Sequence, residues 1–144
     1  MFEIISLLFL LLLVSTLFIF NFYWPMRGTD AFILYDFRAI SFVETGFMND
    51  AIARGYFVPY PLLTSLSHTW LYLVGFTNPM ILYSLFFLSF MILFYYSLNK
   101  ILDSKASIVL TLVLFLFPDL YGQAQIAYTN LPYTIYIVMG SIYL

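Results

Sequence analysis

The chain has 144 residues, of which 64% are hydrophobic and only 8% are charged, and its mean hydropathy is +1.00. Soluble domains are about 45–50% apolar by residue count, so this composition predicts an integral membrane protein. The net charge of −2 argues against nucleic-acid binding, the absence of cysteine excludes disulfides and thiolate chemistry, and a single histidine excludes a histidine cluster.

The first hydrophobic run predicts a membrane-spanning helix over residues 4–24. This run has about the twenty residues that a crossing needs. A cleaved secretory signal is the alternative, but it would need a basic start and a small-residue cleavage site, and here the start carries Glu3 and no base. Tyr23 and Trp24 then fall at the membrane surface, and Pro25 ends the helix.

Residues 25–78 are predicted to form a long external loop that contains two amphipathic helices. The first covers 30–45, where Thr29 or Asp30 can cap the start and Gly46 can close the end. At 100° per residue its polar and apolar side chains fall on opposite sides. This separation is typical of a helix that lies on a membrane or on other helices.

One acidic residue departs from this pattern. Asp36 falls on the apolar side of the wheel, near Phe32 and Val43. A carboxylate in such a place needs a partner or must take up a proton. The simplest structural interpretation is that Asp36 pairs with a nearby arginine and so orients the loop.

The second amphipathic helix is predicted over 61–75, which is short for a membrane crossing. Its polar residues share one face of the wheel, and they are Thr64, Ser65, His68, Thr69 and Tyr72. We therefore predict that this helix lies at the membrane interface and does not span. His68 is interpreted as a structural histidine that forms hydrogen bonds on the polar face.

Three further hydrophobic runs follow. Residues 80–98 and 106–121 are predicted to span the membrane, and Pro118 lies near the far end of the second. A last run covers 131–144, where fourteen residues are too few to cross a core of about 30 Å at about 1.5 Å per residue. We expect this run to be the start of a further span, and the chain to be the N-terminal piece of a longer protein.

The orientation is predicted from two lysines in a short loop. Lys100 and Lys105 lie between the second and third predicted spans, and basic residues in short loops favour the cytoplasmic side. If 61–75 does not span, 25–78 is external. The predicted class is thus all-α, with polytopic membrane helices and amphipathic juxtamembrane helices in a long first external loop, all in one transmembrane domain.

Three short stretches add to this order of elements. They are PMRGTD at 25–30, Tyr60-Pro61-Leu62, and the loop from Pro118 to Pro132 that runs into a helix. Together with the order of the spans, they resemble the N-terminal part of GT-C class membrane glycosyltransferases. That class includes the protein O-mannosyltransferases, the aminoarabinose transferases of lipid A and the catalytic subunits of oligosaccharyltransferase.

The resemblance implies a catalytic carboxylate in the first external loop. The family often has Asp-Glu there, as a catalytic or metal-linked acid, and Asp30 matches the first position while Ala31 stands where Glu is expected. The family's Tyr-Pro-Pro-Leu pattern has lost one proline here. An acidic residue that often ends the second external loop is replaced by Asn130, although Asp119 lies earlier in that loop.

The resemblance also implies a reaction. Family members move a sugar from a polyprenyl-phosphate donor in the bilayer to a glycan, lipid or protein acceptor on the outer face, in prokaryotes at the plasma membrane. The full-length protein is then the enzyme, and the 144-residue piece alone is expected to be inactive. The remaining candidates are Arg27, Arg38 and Arg54 for the donor phosphate or for structure, Asp36 and Asp119 as secondary acids, and Tyr60 and Asn130 for the donor or acceptor loops.

Structural alternatives stand beside these roles. Asp30 can be a helix cap, and Arg38 and Arg54 can be interface residues that extend their charged ends to water. No cofactor is certain, and a divalent metal stays open. At the level of function, the alternative is a scaffold or transporter fragment of envelope-glycan assembly. The predicted spans carry no charge in their interior, since Asp119 lies only near the far end of 106–121, and this argues against a transporter.

Overall fold

The computed structural model describes residues 2–46 and 61–144. Over these residues 78% of the chain is helical and there is no strand, which confirms the all-α prediction. The helices are α1 (Phe2–Tyr23), a π-helical segment (Ala31–Asp36), α2 (Phe37–Thr45), α3 (Leu62–Leu73), α4 (Ile81–Leu98), α5 (Ser104–Phe115), α6 (Pro118–Gln123) and α7 (Asn130–Tyr143).

Two helices in the described part, α1 from Glu3 onward and α4, are long and apolar enough to cross a membrane. The end of α1 lies beside the start of α4, so the two helices run antiparallel. Buried Asn21 fixes this arrangement because its Nδ2 donates to Oγ of Ser84 at 2.9 Å and to the carbonyl of Ala124 at 2.8 Å. Polar side chains thus lock the register of an otherwise apolar helix pair.

The core of the bundle is largely aromatic. Phe87 and Phe90 of α4 and Phe115 of α5 are almost fully buried, and Leu17 of α1 packs in the same cluster. The rings of Phe87 and Phe115 meet edge to face with centroids 4.8 Å apart, a geometry that aromatic pairs favour. These three phenylalanines therefore serve helix packing, whereas others, such as Phe9 and Phe22, are exposed.

The span predicted over 106–121 does not form one continuous helix. α5 ends at Phe115, and α6 begins at Pro118 after a two-residue break. The proline ring disfavours helical conformation at the preceding residue, and Phe117 is accordingly extended, with φ −63° and ψ 120°. α5 alone is only about 18 Å long at 1.5 Å per residue.

The first loop helix differs from a regular amphipathic helix. The N–H of Phe37 donates to the carbonyl of Phe32, five residues earlier, as in a π-helix. This bonding places more residues in a turn than a wheel drawn at 100° per residue assumes, yet Ala31, Ala39 and Phe42, predicted on the apolar side, are buried. Arg38 and Ser41, predicted on the polar side, are buried, and the apolar Phe32 is exposed.

The two ends of this helix test the predicted caps. Gly46 closes α2 in the left-handed conformation, with φ +72°, and its N–H donates to the carbonyl of Phe42 at 3.0 Å, which confirms the prediction. Asp30 has helical φ and ψ, and its side chain makes no capping hydrogen bond. The prediction that Asp30 caps the helix is therefore wrong.

α3 is two-faced, as predicted, but its polar face points inward. Ser65 and His68 are fully buried, whereas Leu66, Trp70 and Leu73 on the other side are exposed. The helix packs against the π-helical segment and α2. Its polar residues therefore meet protein, whereas its apolar residues face outward except for Leu71, which is buried in the core.

A close contact between loops fixes the loop helices to the bundle. Gly28 has φ +92°, and a Cβ built on it would lie 2.8 Å from the hydroxyl oxygen of Tyr128, so only glycine fits without strain. Nearby, the hydroxyls of Thr64 and Thr129 are 2.9 Å apart. The 25–30 stretch and the start of α3 thus both dock on the loop before α7.

Candidate functional site

The candidate site lies where the π-helical segment meets α3 and α4. Asp36 is the last residue of the π-helical segment, and Tyr83 lies in the first turn of α4. His68 and Tyr72 are four residues apart on α3, a spacing that places them on one face of a helix. Residues of three elements thus form one hydrogen-bonded network, in which His68 is the central residue.

His68 connects Asp36 to Tyr83. Its Nδ1 is 3.2 Å from Oδ1 of Asp36, and its Nε2 is 3.1 Å from the hydroxyl oxygen of Tyr83. The Tyr72 hydroxyl donates a further hydrogen bond to the same Oδ1. Both hydrogen bonds that the described residues make to the carboxylate therefore fall on Oδ1, so Oδ2 has no partner among these residues and can meet a ligand.

The network is almost fully removed from water. Exposed fractions are 4% for Asp36, 0% for His68 and 1% for Tyr83. When Nδ1–H of a neutral His68 donates to Asp36, Nε2 accepts from the Tyr83 hydroxyl, whereas in the imidazolium form both nitrogens donate. Burial, the hydrogen bond to Asp36 and the charge of Asp36 raise the pKa of Tyr72 above its usual range, so its hydroxyl remains a donor at neutral pH.

These contacts decide two predictions. The hydrogen bonding of His68 through the polar face of its helix is confirmed. The predicted arginine partner of Asp36 is wrong, since the carboxylate is held by His68 and Tyr72. The wheel places Asp36 on the inward side correctly, but the partners that meet it there come from α3.

A pocket of about 350 Å³ opens beside Asp36. Asp36 is the only charged residue among those described that line it. The other lining residues are Tyr23, Trp24, Pro25, Met26, Phe32, Tyr72, Thr77, Asn78 and Pro79. Asn78 holds the two helix ends together because its Nδ2 donates to the carbonyls of Asn21 at 2.9 Å and Trp24 at 3.3 Å.

The other acidic and loop candidates lie apart from this network. Asp30 is exposed just before the π-helical segment, and Asp119 is exposed in the first turn of α6. Asn130 is also exposed, and its Nδ2 donates to Oε1 of Gln123 at 3.3 Å. None of these three lines the pocket beside Asp36.

The arginines have different surroundings. The exposed guanidinium of Arg27 lies over the rings of Phe20 and Trp24, at 5.0 and 5.3 Å from their centroids, which is within cation–π range. Arg38 is only 3% exposed. Its interpretation as an interface residue that extends to water is therefore wrong. Arg54 lies outside the described residues, as does Tyr60.

The arrangement can support proton transfer or the binding of a hydrogen-bond donor. A carboxylate oriented by an imidazole and a phenol is held in a fixed position, and its second oxygen can accept a proton or a hydrogen bond. Across residues 2–46 and 61–144, no three His, Asp or Glu side chains come together as a metal site.

Sequence reasoning did not predict the complete network. The spacing of His68 and Tyr72 showed that both share a helix face, and Asp36 was expected to need a partner. No feature of the sequence indicated that these two residues are the partners of Asp36. Tyr83 carried no signal, because it stands in a hydrophobic run like many other tyrosines. Its position opposite His68 depends on how α4 packs against α3.

Comparisons of the chain with protein-family models, curated protein sequences and solved structures give no match. The resemblance of the short motifs to the GT-C class therefore stays a prediction. The geometry of Asp36, His68, Tyr72 and Tyr83 provides the physical basis for a functional proposal.

Proposed function

We propose that the chain is a multi-pass membrane segment of a GT-C-like glycosyltransferase in a prokaryotic plasma membrane. The reaction would move a sugar from a polyprenyl-phosphate donor to a glycan, lipid or protein acceptor at the outer face. One observation carries the proposal. The acidic pocket around Asp36 lies where the C-terminal end of α1 meets the N-terminal end of α4.

The distribution of polarity supports a membrane location. α3 buries Ser65 and His68 while it exposes Leu66, Trp70 and Leu73, and much of α1 also presents leucines to the outside. Soluble monomers rarely expose contiguous apolar patches larger than several hundred Å². An apolar exterior around a buried polar network is stable in lipid, because polar groups there must be satisfied within the protein.

The position of the pocket supports transfer at the membrane surface. If α1 and α4 span, their adjoining ends lie at one boundary of the bilayer, and Tyr23 and Trp24 match the aromatic belt found there. A lipid-linked donor can approach this boundary from the membrane, while a polar acceptor approaches from water. The reaction needs both to meet near a carboxylate.

Two carboxylates are close in sequence, and we assign them different roles. Asp30 is exposed and makes no capping bond, so it can accept the proton of an acceptor hydroxyl or bind a metal that activates it. Asp36 is buried and joins the π-helical segment to α3 through His68 and Tyr72. Asp30 does not line the pocket beside Asp36, so the catalytic role that we assign to it rests on the resemblance and on its exposure.

The test compares Asp30→Asn, Asp36→Asn and the control Glu44→Gln in the full-length protein. Glu44 is an exposed acid on α2 that does not line the pocket. Transfer from polyprenyl-phosphate hexose and pentose donors to membrane acceptors is measured, with the amount of folded protein. We expect Asp30→Asn to lower transfer by at least about 10²-fold, the low end for loss of a general base, at an unchanged amount of protein.

The other variants complete this test. Asp36→Asn should lower the amount of folded protein, and Glu44→Gln should change neither quantity. Normal transfer by Asp30→Asn, with loss of transfer by well-folded Asp36→Asn, would move the catalytic role to Asp36. If the wild-type protein transfers no sugar from any donor, a non-catalytic scaffold becomes the better interpretation. The presence of Ala31 where the family has Glu also favours a scaffold.

A further inference from the structure

The pocket beside Asp36 has one acidic side chain and no basic side chain among the described residues that line it. The hydrogen bonds from His68 and Tyr72 to this carboxylate both fall on Oδ1. A buried carboxylate is costly unless a cation or several donors compensate it. The free Oδ2 is the atom at which such a cation could bind.

The walls of the pocket favour an organic cation. Tyr23, Trp24 and Phe32 supply aromatic rings, and aromatic faces attract ammonium groups. Thr77 and Asn78 supply polar side chains on the opposite helix end. The volume of about 350 Å³ falls within the range of small-molecule sites and is far larger than a single water or metal ion needs.

The pocket lining is also unsuited to an anion. Lys and Arg are absent from the described residues that line it. Arg27 lies just outside, with its guanidinium over the ring of Trp24 at 5.3 Å from the centroid. A ligand that carries both an ammonium group and a phosphate would meet opposite charges at both ends. Its ammonium group would lie near Asp36 in the pocket, and its phosphate would lie near Arg27 beyond Trp24.

We propose that this pocket binds an ammonium group, held by Oδ2 of Asp36 and the surrounding aromatic rings. A zwitterionic lipid headgroup and a soluble amine are the two sources of this chemistry. The site does not depend on glycosyl transfer, because its evidence is the carboxylate, the rings and the lack of basic lining residues.

The test uses Trp24 as a reporter in the full-length protein. The chain has two tryptophans, so Trp70→Phe leaves Trp24 as the only one in it, and any others in the full-length protein are replaced as well. Emission is followed while short-chain phosphatidylethanolamine, phosphatidylglycerol or free ethanolamine is added to the protein in detergent. We expect saturable binding of phosphatidylethanolamine and no saturable response to phosphatidylglycerol.

Variants locate the binding to the pocket. Asp36→Asn should weaken phosphatidylethanolamine binding at least about tenfold, which corresponds to about 1.4 kcal/mol. Glu44→Gln removes the same charge from an exposed position outside the pocket and should leave affinity unchanged. Phe32→Lys places a positive charge on the exposed rim without removing a buried hydrogen bond, so it should weaken binding even if Asp36→Asn fails to fold.

Three results would overturn the proposal. They are equal affinity for the two lipids, unchanged affinity in a helical Asp36→Asn protein, and unchanged affinity in Phe32→Lys. Free ethanolamine that competes as well as the lipid would support the ammonium site and identify a soluble amine as its ligand. Arg27→Gln distinguishes a lipid ligand from a soluble amine, since it should weaken the binding of phosphatidylethanolamine, which carries a phosphate, and leave the binding of free ethanolamine unchanged.

Discussion

At the scale of single residues, His68 joins three elements through two hydrogen bonds, one to Asp36 and one to Tyr83. Its removal would leave two buried polar groups each short of a partner. An unsatisfied buried group costs about 1–3 kcal/mol. We therefore expect His68→Ala to lower the free energy of unfolding by at least that amount, measured by reversible denaturation in mild detergent.

A control and a double mutant separate this effect from general damage to α3. Ser67 is the neighbouring residue, and among the described residues its hydroxyl donates only to the carbonyl of Leu63, in its own helix. Ser67→Ala should change stability by less than about 0.5 kcal/mol. Combined with Asp36→Asn, His68→Ala should cost less than the sum of the single changes, because both break one network. Strict additivity would contradict the role given to His68.

At the scale of elements, α3 is the helix whose orientation matters most, because its polar face forms the site and its apolar face lies outside. Trp70 on the outer face is 60% exposed. If lipid covers this face, Trp70 should fluoresce as a lipid-facing residue. The full-length protein with Trp70 as its only tryptophan, which requires Trp24→Phe, is reconstituted into vesicles, where brominated lipids should quench Trp70 strongly and acrylamide weakly.

A second position provides the matched control for this measurement. Lys105 is exposed near the start of α5, in a polar turn where water is expected. Lys105→Trp, made with both native tryptophans replaced by Phe, should show the opposite preference and be quenched mainly by acrylamide. If Trp70 responds to acrylamide as Lys105→Trp does, then α3 faces water, and the membrane interpretation of its leucines is wrong.

At the scale of the whole molecule, the antiparallel arrangement of α1 and α4 determines which loops share a side. Thr77 and Ser104 flank α4, which has 18 residues and is therefore about 27 Å long. We predict that Thr77 is external and Ser104 cytoplasmic, because Lys100 and Lys105 lie next to Ser104. The chain has no cysteine, so single cysteines report on these positions once any others in the full-length protein are removed.

The topology is read from labelling in intact cells. Thr77→Cys should react with a membrane-impermeant thiol reagent, whereas Ser104→Cys should react only after the membrane is permeabilised. Both positions are exposed in the structure, so a lack of labelling is not explained by burial within the protein. Labelling of Ser104→Cys in intact cells would reverse the predicted orientation.

The sequence by itself determined the helical class, α1, α4 and the end of α2 at Gly46. Each of these depends on local information. A long apolar run, a hydrophobic period or a glycine that tolerates positive φ acts within one segment, wherever the rest of the chain lies. The two faces of α3 were predicted for the same reason, since a single helix period defines them.

Only the tertiary structure decided which faces meet and which polar groups become partners. Asp36 finds its partners on α3, and no pattern within its own helix encodes that pairing. His68 is then 32 residues away in sequence from the carboxylate that it holds. The site could not be predicted in full, because its hydrogen bonds form between separate helices and depend on the packing that brings those helices together.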